Sequence, residues 1–160
     1  MKKMIPAVVL LSMLSGPLMA AEATKSKPLL NKSKMAVGVG IANNSIGSND
    51  ETGFQFFAAY DLDQVNLMDN VNTSIEFGYM DYGDFAGGNS GGLWVTGVVD
   101  GNITGNLDWL GRLGLDLGDD DGFMFGAGVG YNLNKKMQLR GEYVIRDSID
   151  SLQINLYYHL

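Results

Sequence analysis

The last 38 residues, FMFGAGVGYNLNKKMQLRGEYVIRDSIDSLQINLYYHL, constrain the chain most, because they alternate apolar and polar residues with a period of two through three successive segments joined by very short turns. Phe123, Phe125, Ala127, Val129 and Tyr131 alternate with Gly126, Gly128, Gly130 and Asn132. Met137, Leu139, Tyr143 and Ile145 oppose Gln138, Arg140, Glu142 and Arg146. Leu152, Ile154, Leu156, Tyr158 and Leu160 oppose Gln153, Asn155, Tyr157 and His159. Such a run predicts three two-faced strands, the last of which needs a pairing partner.

Alternation alone does not say which face is the core, since a soluble sandwich or small soluble barrel also has one apolar and one polar face. The N-terminus bears on that choice. Met1, Lys2 and Lys3 precede an apolar run from Met4 to Leu14, followed by Ser15, Gly16, Pro17 and small residues at Ala20, Ala21 and Ala23. This is the pattern of a secretory signal peptide; it is too short for a membrane-spanning helix and is interrupted by Pro6 and Pro17. Cleavage after Ala20, with Ala21 and Ala23 as alternative cut positions, removes 20 of 160 residues and leaves 140. The loss of Lys2 and Lys3 takes the formal charge from −7 to −9. An exported, acidic chain lacks the basic stripe that nucleic-acid binding requires, so no nucleic-acid partner is expected. With no Cys it has neither disulfides nor a lipid-bearing N-terminal Cys.

Residues 21–33 show no periodicity and read as a short polar periplasmic leader, disordered in character, ahead of a domain over 34–160. In that domain the expected strands cover about 34–42, 53–62, 71–82, 92–99, 106–117, 123–132, 137–146 and 151–160. Phe57 blurs the second, and the short fourth, LWVTGVV, is apolar at both parities. The connections at 43–51, 83–91 (a mobile Gly-rich loop), 118–122 and 147–150 fall at one end. Those at 63–70, 100–105 and 133–135 fall at the other. Eight strands in a row make antiparallel neighbours, and an even number lets the last return to the first and close, leaving no unpaired edge. Strands of roughly 9 to 11 residues also suit a tilted membrane crossing. The expectation is an all-β, eight-stranded antiparallel up-and-down transmembrane barrel with apolar side chains toward lipid. A soluble lipocalin-like barrel is the alternative.

With that facing, Tyr60, Trp109, Tyr131 and Tyr158 form one aromatic belt at the periplasmic interface, and Phe54, Tyr79, Phe123 and Tyr143 another at the outer one. The inward parity collects Glu76, Arg112, Arg140 and Glu142, with Asp108, Asp116 and Arg146 as further candidates. Mixed charges in a narrow interior should pair as a polar plug, because eight strands leave a lumen only wide enough for side chains. A narrow ion or solute pore is the competing reading.

The segment GAGVGYNLNKKMQLRGEY (126–143), its aspartate-bearing turn and SLQINLYYHL resemble the C-terminal half of the eight-stranded outer-membrane β-barrel superfamily, which includes outer-membrane protein A and the opacity-type proteins. The resemblance implies an outer-membrane location, an interior salt-bridge network, and a terminal strand read by the barrel-assembly machinery through a final aromatic. Here the last residue is Leu160, with Tyr158 two places earlier.

Neither catalysis nor a cofactor is expected. His159, the only His, falls at the periplasmic end of the last strand, there is no Cys nucleophile, and Ser148 and Ser151 beside Asp147 and Asp150 have no suitable base. Asp116 and Asp119–Asp121 lack the spacing and distal Glu of a calcium loop and read as a solvated turn. The GAGVG glycines are not followed by a helix, so they suit interior room or strand curvature better than phosphate binding. The functional expectation is a monomeric structural or surface-interaction protein that meets outer-membrane lipid and lipopolysaccharide through short acidic loops.

Overall fold

The computed structural model describes residues 30–160 apart from 64, 66–68 and 86–87. The signal-peptide reading over 1–20 and leader residues 21–29 lie outside the described residues. Eight strands follow in order: β1 Met35–Ile46, β2 Asn49–Asp61, β3 Val71–Phe85, β4 Gly88–Thr104, β5 Leu107–Asp116, β6 Gly122–Asn132, β7 Met137–Ile145 and β8 Asp150–His159. Each pairs antiparallel with its sequence neighbour, and β8 returns to β1 from Ala36↔His159 to Ser45↔Asp150, closing the barrel. Closure satisfies every edge ladder within the sheet.

The period-2 pattern becomes an inside-out barrel. Ile41 (61 % exposed), Leu113 (64 %) and Phe123 (76 %) stand on the outer surface, whereas Glu76, Gln153 and Asn155 are wholly buried within. A water-soluble barrel has the reverse arrangement.

Several boundaries differ from the sequence reading. Residues 43–46 and 49–51 continue β1 and β2, so the expected loop shrinks to a two-residue turn at Gly47 and Ser48. Gly47 takes φ +61°, a left-handed conformation suited to a tight hairpin. The expected mobile loop over 83–91 lies mostly in β3 and β4, with a bulge at Asp81/Gly83. The fourth strand is the longest, at 17 residues, because it also absorbs most of the expected turn at 100–105; the chain reverses instead at Gly105 and Asn106. Trp94, Thr96 and Val98 point inward on β4, and Leu93 is exposed on the outside. Phe57 breaks the apolar alternation of β2 because it is an interior residue, stacked 5.6 Å from Trp94 and 6.1 Å from Tyr157.

The described end of the leader is not a free tail. Lys32–Lys34 form a 3-10 turn capped by Asn31, whose side chain accepts from Ser33 N. Lys34 Nζ lies 2.5 Å from Asp63 Oδ2. That hydrogen-bonded carboxylate holds the Lys34 ammonium above its ordinary range.

Candidate functional site

The barrel interior is built in layers along its axis. Glu76 on β3, Arg112 on β5, and Arg140 and Glu142 on β7 meet in the central layer. Their order is Glu142–Arg112–Glu76–Arg140, with Arg112 Nη2 2.5 Å from Glu142 Oε2 and 3.3 Å from Glu76 Oε2, and Arg140 Nη1 2.7 Å from Glu76 Oε1. Two acids and two bases make the quartet neutral, which a buried low-dielectric layer requires. Neutral side chains extend it. Asn155 donates to Glu142 Oε1 at 2.9 Å, Arg140 Nε donates to Gln138 Oε1 at 2.6 Å, and Gln55 donates to both Gln153 and Asn155. Aromatic faces line the same layer: the Arg140 guanidinium lies 3.7 Å over the Tyr157 ring, and that of Arg112 lies 5.5 Å from the Trp94 centroid. The contacts of Arg112 with the two glutamates are charge pairs without hydrogen-bond alignment, and its Nε and Nη1 have no acceptor among the described residues.

Glycines of the GAGVG segment make room for these charges. A Cβ on Gly126 would stand 3.2 Å from Arg112 Cγ, one on Gly128 would stand 2.8 Å from Glu142 Cγ, and one on Gly130 would strike the Gln138 amide at 2.7 Å. The motif supplies interior space.

Nearer the Gly47 turn, Met80, Met124 and Val144 are fully buried, and the Met80 sulfur accepts from Arg146 Nη2 at 3.2 Å, within a second polar cluster. Tyr82 OH donates to Asp116 Oδ2, which also takes Arg146 Nε at 3.0 Å. Arg146 Nη1 donates to Ser151 at 2.6 Å, Ser151 donates to Asn44 Oδ1 at 2.5 Å, and Asn44 donates to the Tyr82 carbonyl at 2.9 Å. Sequence parity identified Asp116 and Arg146 but not the Tyr82, Ser151 and Asn44 ring. Tyr82 shares the parity of Glu76, which was the available signal. Ser151 is thus held in a structural network, and His159 lies at the opposite end, edge-on to Tyr157 at 5.0 Å.

Asp120 corrects the reading of a solvated acidic turn. It is 5 % exposed and accepts backbone N–H groups of Ser148 and Ile149, each at 2.9 Å, tying the β5–β6 connection to the β7–β8 connection. Asp119 takes Gly91 N at 3.0 Å. Among the described residues no group of three His, Cys, Asp or Glu is placed to hold a metal ion.

Opposite this end, where Leu160 N bonds to the Met35 carbonyl, the interior opens into a cavity of about 300 Å³ floored by Arg140 and Tyr157. Asp108 sits at this rim, outside the central layer, and binds Asn102, Asn132 and Gln138. On the outer surface, Tyr60, Trp109, Tyr131 and Tyr158 cluster at the strand ends on this side, Tyr158 lying under Lys136 Nζ at 5.6 Å. Phe123 and Tyr143 are near the opposite strand ends, and Tyr143 OH donates to Asp150 at 3.1 Å. Phe54 and Tyr79 stand well inside β2 and β3, because those strands run farther than the sequence pattern indicates.

No family model and no curated protein matches the chain. Solved structures do. A de novo designed transmembrane β-barrel is 18 % identical with a TM-score of 0.59, covering 80 % of this chain and 96 % of its own. The Yersinia pestis outer membrane protein Ail in a phospholipid bilayer nanodisc is 13 % identical with a TM-score of 0.53, covering 80 % and 99 %. Neisserial surface protein A is 12 % identical with a TM-score of 0.51, covering 79 % and 96 %. At these identities the likeness is one of fold: the chain has the eight-stranded closed architecture of outer-membrane β-barrels.

Proposed function

We propose that the protein is a monomeric, integral β-barrel of the bacterial outer membrane, exported through the signal peptide at 1–20, with a structural and surface-contact role and no enzymatic activity. The observation that carries this reading is the apolar outer face, which runs around the closed barrel and includes Val39, Ile41, Phe56, Leu113, Phe125 and Ile154. In water each such side chain would forfeit about 1.5–3 kcal/mol of burial free energy, which lipid supplies. Lipid and lipopolysaccharide are then its immediate partners, and the barrel-assembly machinery its partner during insertion.

The end with the Gly47 turn carries Asp50, Glu51, Asp84, Asp119, Asp121 and Asp147, and Arg146, the nearest base, is buried inside. Contact with lipopolysaccharide phosphates through this surface calls for bridging divalent cations. The Yersinia protein has been solved with the heparin analogue sucrose octasulfate; a sulfated polyanion would meet like charge on this chain. A conducting pore is disfavoured by the buried quartet across the lumen.

Fractionation together with heat-modifiable gel mobility tests the location. A freely soluble periplasmic protein refutes the membrane reading and restores the lipocalin-like alternative. Planar-bilayer recordings test the plug: the expected result is silence, and stable large openings refute it.

A further inference from the structure

The cavity at the Leu160 end has no place in the anchoring role, and its chemistry is specific. Asp61, Asp100, Asp108, Arg140, Tyr157 and His159 are among its walls. Arg140 is paired with Glu76 at 2.7 Å, and Lys34 with Asp63 at the rim. Both Asp108 oxygens are occupied by amide donors. Asp100 uses Oδ2 to accept from Asn72 at 2.9 Å, which leaves Oδ1 available. The Asp61 carboxylate accepts no hydrogen bond among the described residues and lies within electrostatic reach of His159, Asp100, Asp63 and Arg140.

A second, independent feature points to a ligand. Tyr157 is 1 % exposed, lines the cavity floor, and has no hydrogen-bond partner for its hydroxyl among the described residues. Arg140 covers one face of its ring, and Phe57 and His159 pack beside it at 6.1 and 5.0 Å. Tyr157 also lies within electrostatic reach of both Asp61 and Asp100. Two carboxylates and one phenol group therefore line the same cavity, and a primary ammonium has three N–H donors to offer.

We propose that this cavity binds a small organic cation through a primary ammonium group, held by Asp61, Asp100 and the Tyr157 hydroxyl. A bare metal ion suits the cavity poorly. Hard divalent cations need six or more oxygens at about 2.3–2.6 Å, or about 2.0–2.1 Å for magnesium, and no three acidic or His side chains among the described residues are gathered that closely. The buried quartet Glu142–Arg112–Glu76–Arg140 fills the far side, so the occupant enters and leaves by one mouth.

His159 is the only histidine, and its ring resonances give an unambiguous NMR reporter in the full mature chain refolded in detergent micelles. Titration with 1,4-diaminobutane should give a saturable shift. Tetramethylammonium, which has the charge but no N–H donor, should bind at least about tenfold more weakly, since a charge-assisted hydrogen bond contributes about 1.5–3 kcal/mol and 1.4 kcal/mol is tenfold. Asp61→Asn and Asp100→Asn should each weaken diamine binding about tenfold on the same scale. Asp119→Asn, at the other end, should leave it unchanged. Tyr157→Phe keeps the ring beneath Arg140 and should reduce affinity several-fold, giving a readout that does not depend on the carboxylate variants folding. The proposal is overturned if sodium chloride at matched ionic strength reproduces the shift, if tetramethylammonium binds as well as the diamine, or if folded Asp61→Asn and Tyr157→Phe proteins bind as the parent does.

Discussion

Replacing Arg140 by Leu separates a quartet held by charge from one that is only well packed. Arg140 Nη1 is 2.7 Å from Glu76 Oε1, its Nε donates to Gln138, and its guanidinium covers Tyr157. Without it, two fully buried carboxylates, Glu76 and Glu142, share the single cation Arg112. Breaking a buried pair in this way costs about 3–5 kcal/mol, of which the added apolar surface of Leu offsets a part. With a urea dependence of about 2 kcal/mol per molar, a loss of about 3–4 kcal/mol lowers the unfolding midpoint by about 1.5–2 M. Tryptophan fluorescence in lipid vesicles reports the transition, since Trp94 is buried in the lumen and Trp109 is exposed on the outer surface. The double replacement Arg140→Leu with Glu76→Leu supplies the decisive comparison. It leaves Arg112 and Glu142 as a neutral pair at 2.5 Å, so it should be more stable than Arg140→Leu alone and lie within about 1 kcal/mol of the parent. A single-variant midpoint within about 0.3 M of the parent on that same scale, or a double variant as destabilised as the sum of the two singles, refutes the charge argument.

The second cluster should show the same asymmetry. Asp116→Ala strands Arg146 and should cost about 3–5 kcal/mol, whereas Tyr82→Phe removes one hydrogen bond and should cost about 1–2 kcal/mol, both measured by urea unfolding. Gly78→Ala should lower stability by about 1–3 kcal/mol, because a Cβ there would stand 2.6 Å from Trp94 Cζ2 and 2.7 Å from the Phe56 carbonyl; pairing it with Trp94→Phe should recover part of the loss. Asp120→Ala should leave the barrel folded but release the connection at 146–149. Limited proteolysis should then cut near Ser148 faster than in the parent, and equal rates would remove the bracing role.

Alternation is legible along the chain, and with it the eight-stranded, closed, antiparallel order. Period-2 patterning is a local property: each residue's face follows from its neighbours along the chain, which is why Glu76, Arg112, Arg140 and Glu142 could be gathered on one side without coordinates. Strand ends, radial positions and cross-lumen contacts come from three-dimensional packing. Pairing fixed the strand ends, since Gly, Asn, Asp and Ser in 43–51 and 83–91 have turn chemistry locally yet are held in ladders by the partner strand. The radial position of Phe57 and Trp94 was illegible, because an aromatic at polar parity looks like noise until the lumen space left by Gly38 and Gly78 is known. The joining of Asp120 to residues 148–149, and the convergence of Asp61, Asp100 and Tyr157 at one mouth, arise from strands far apart in sequence. Such contacts depend on register and barrel closure, which set distances across the lumen that no sequence spacing encodes.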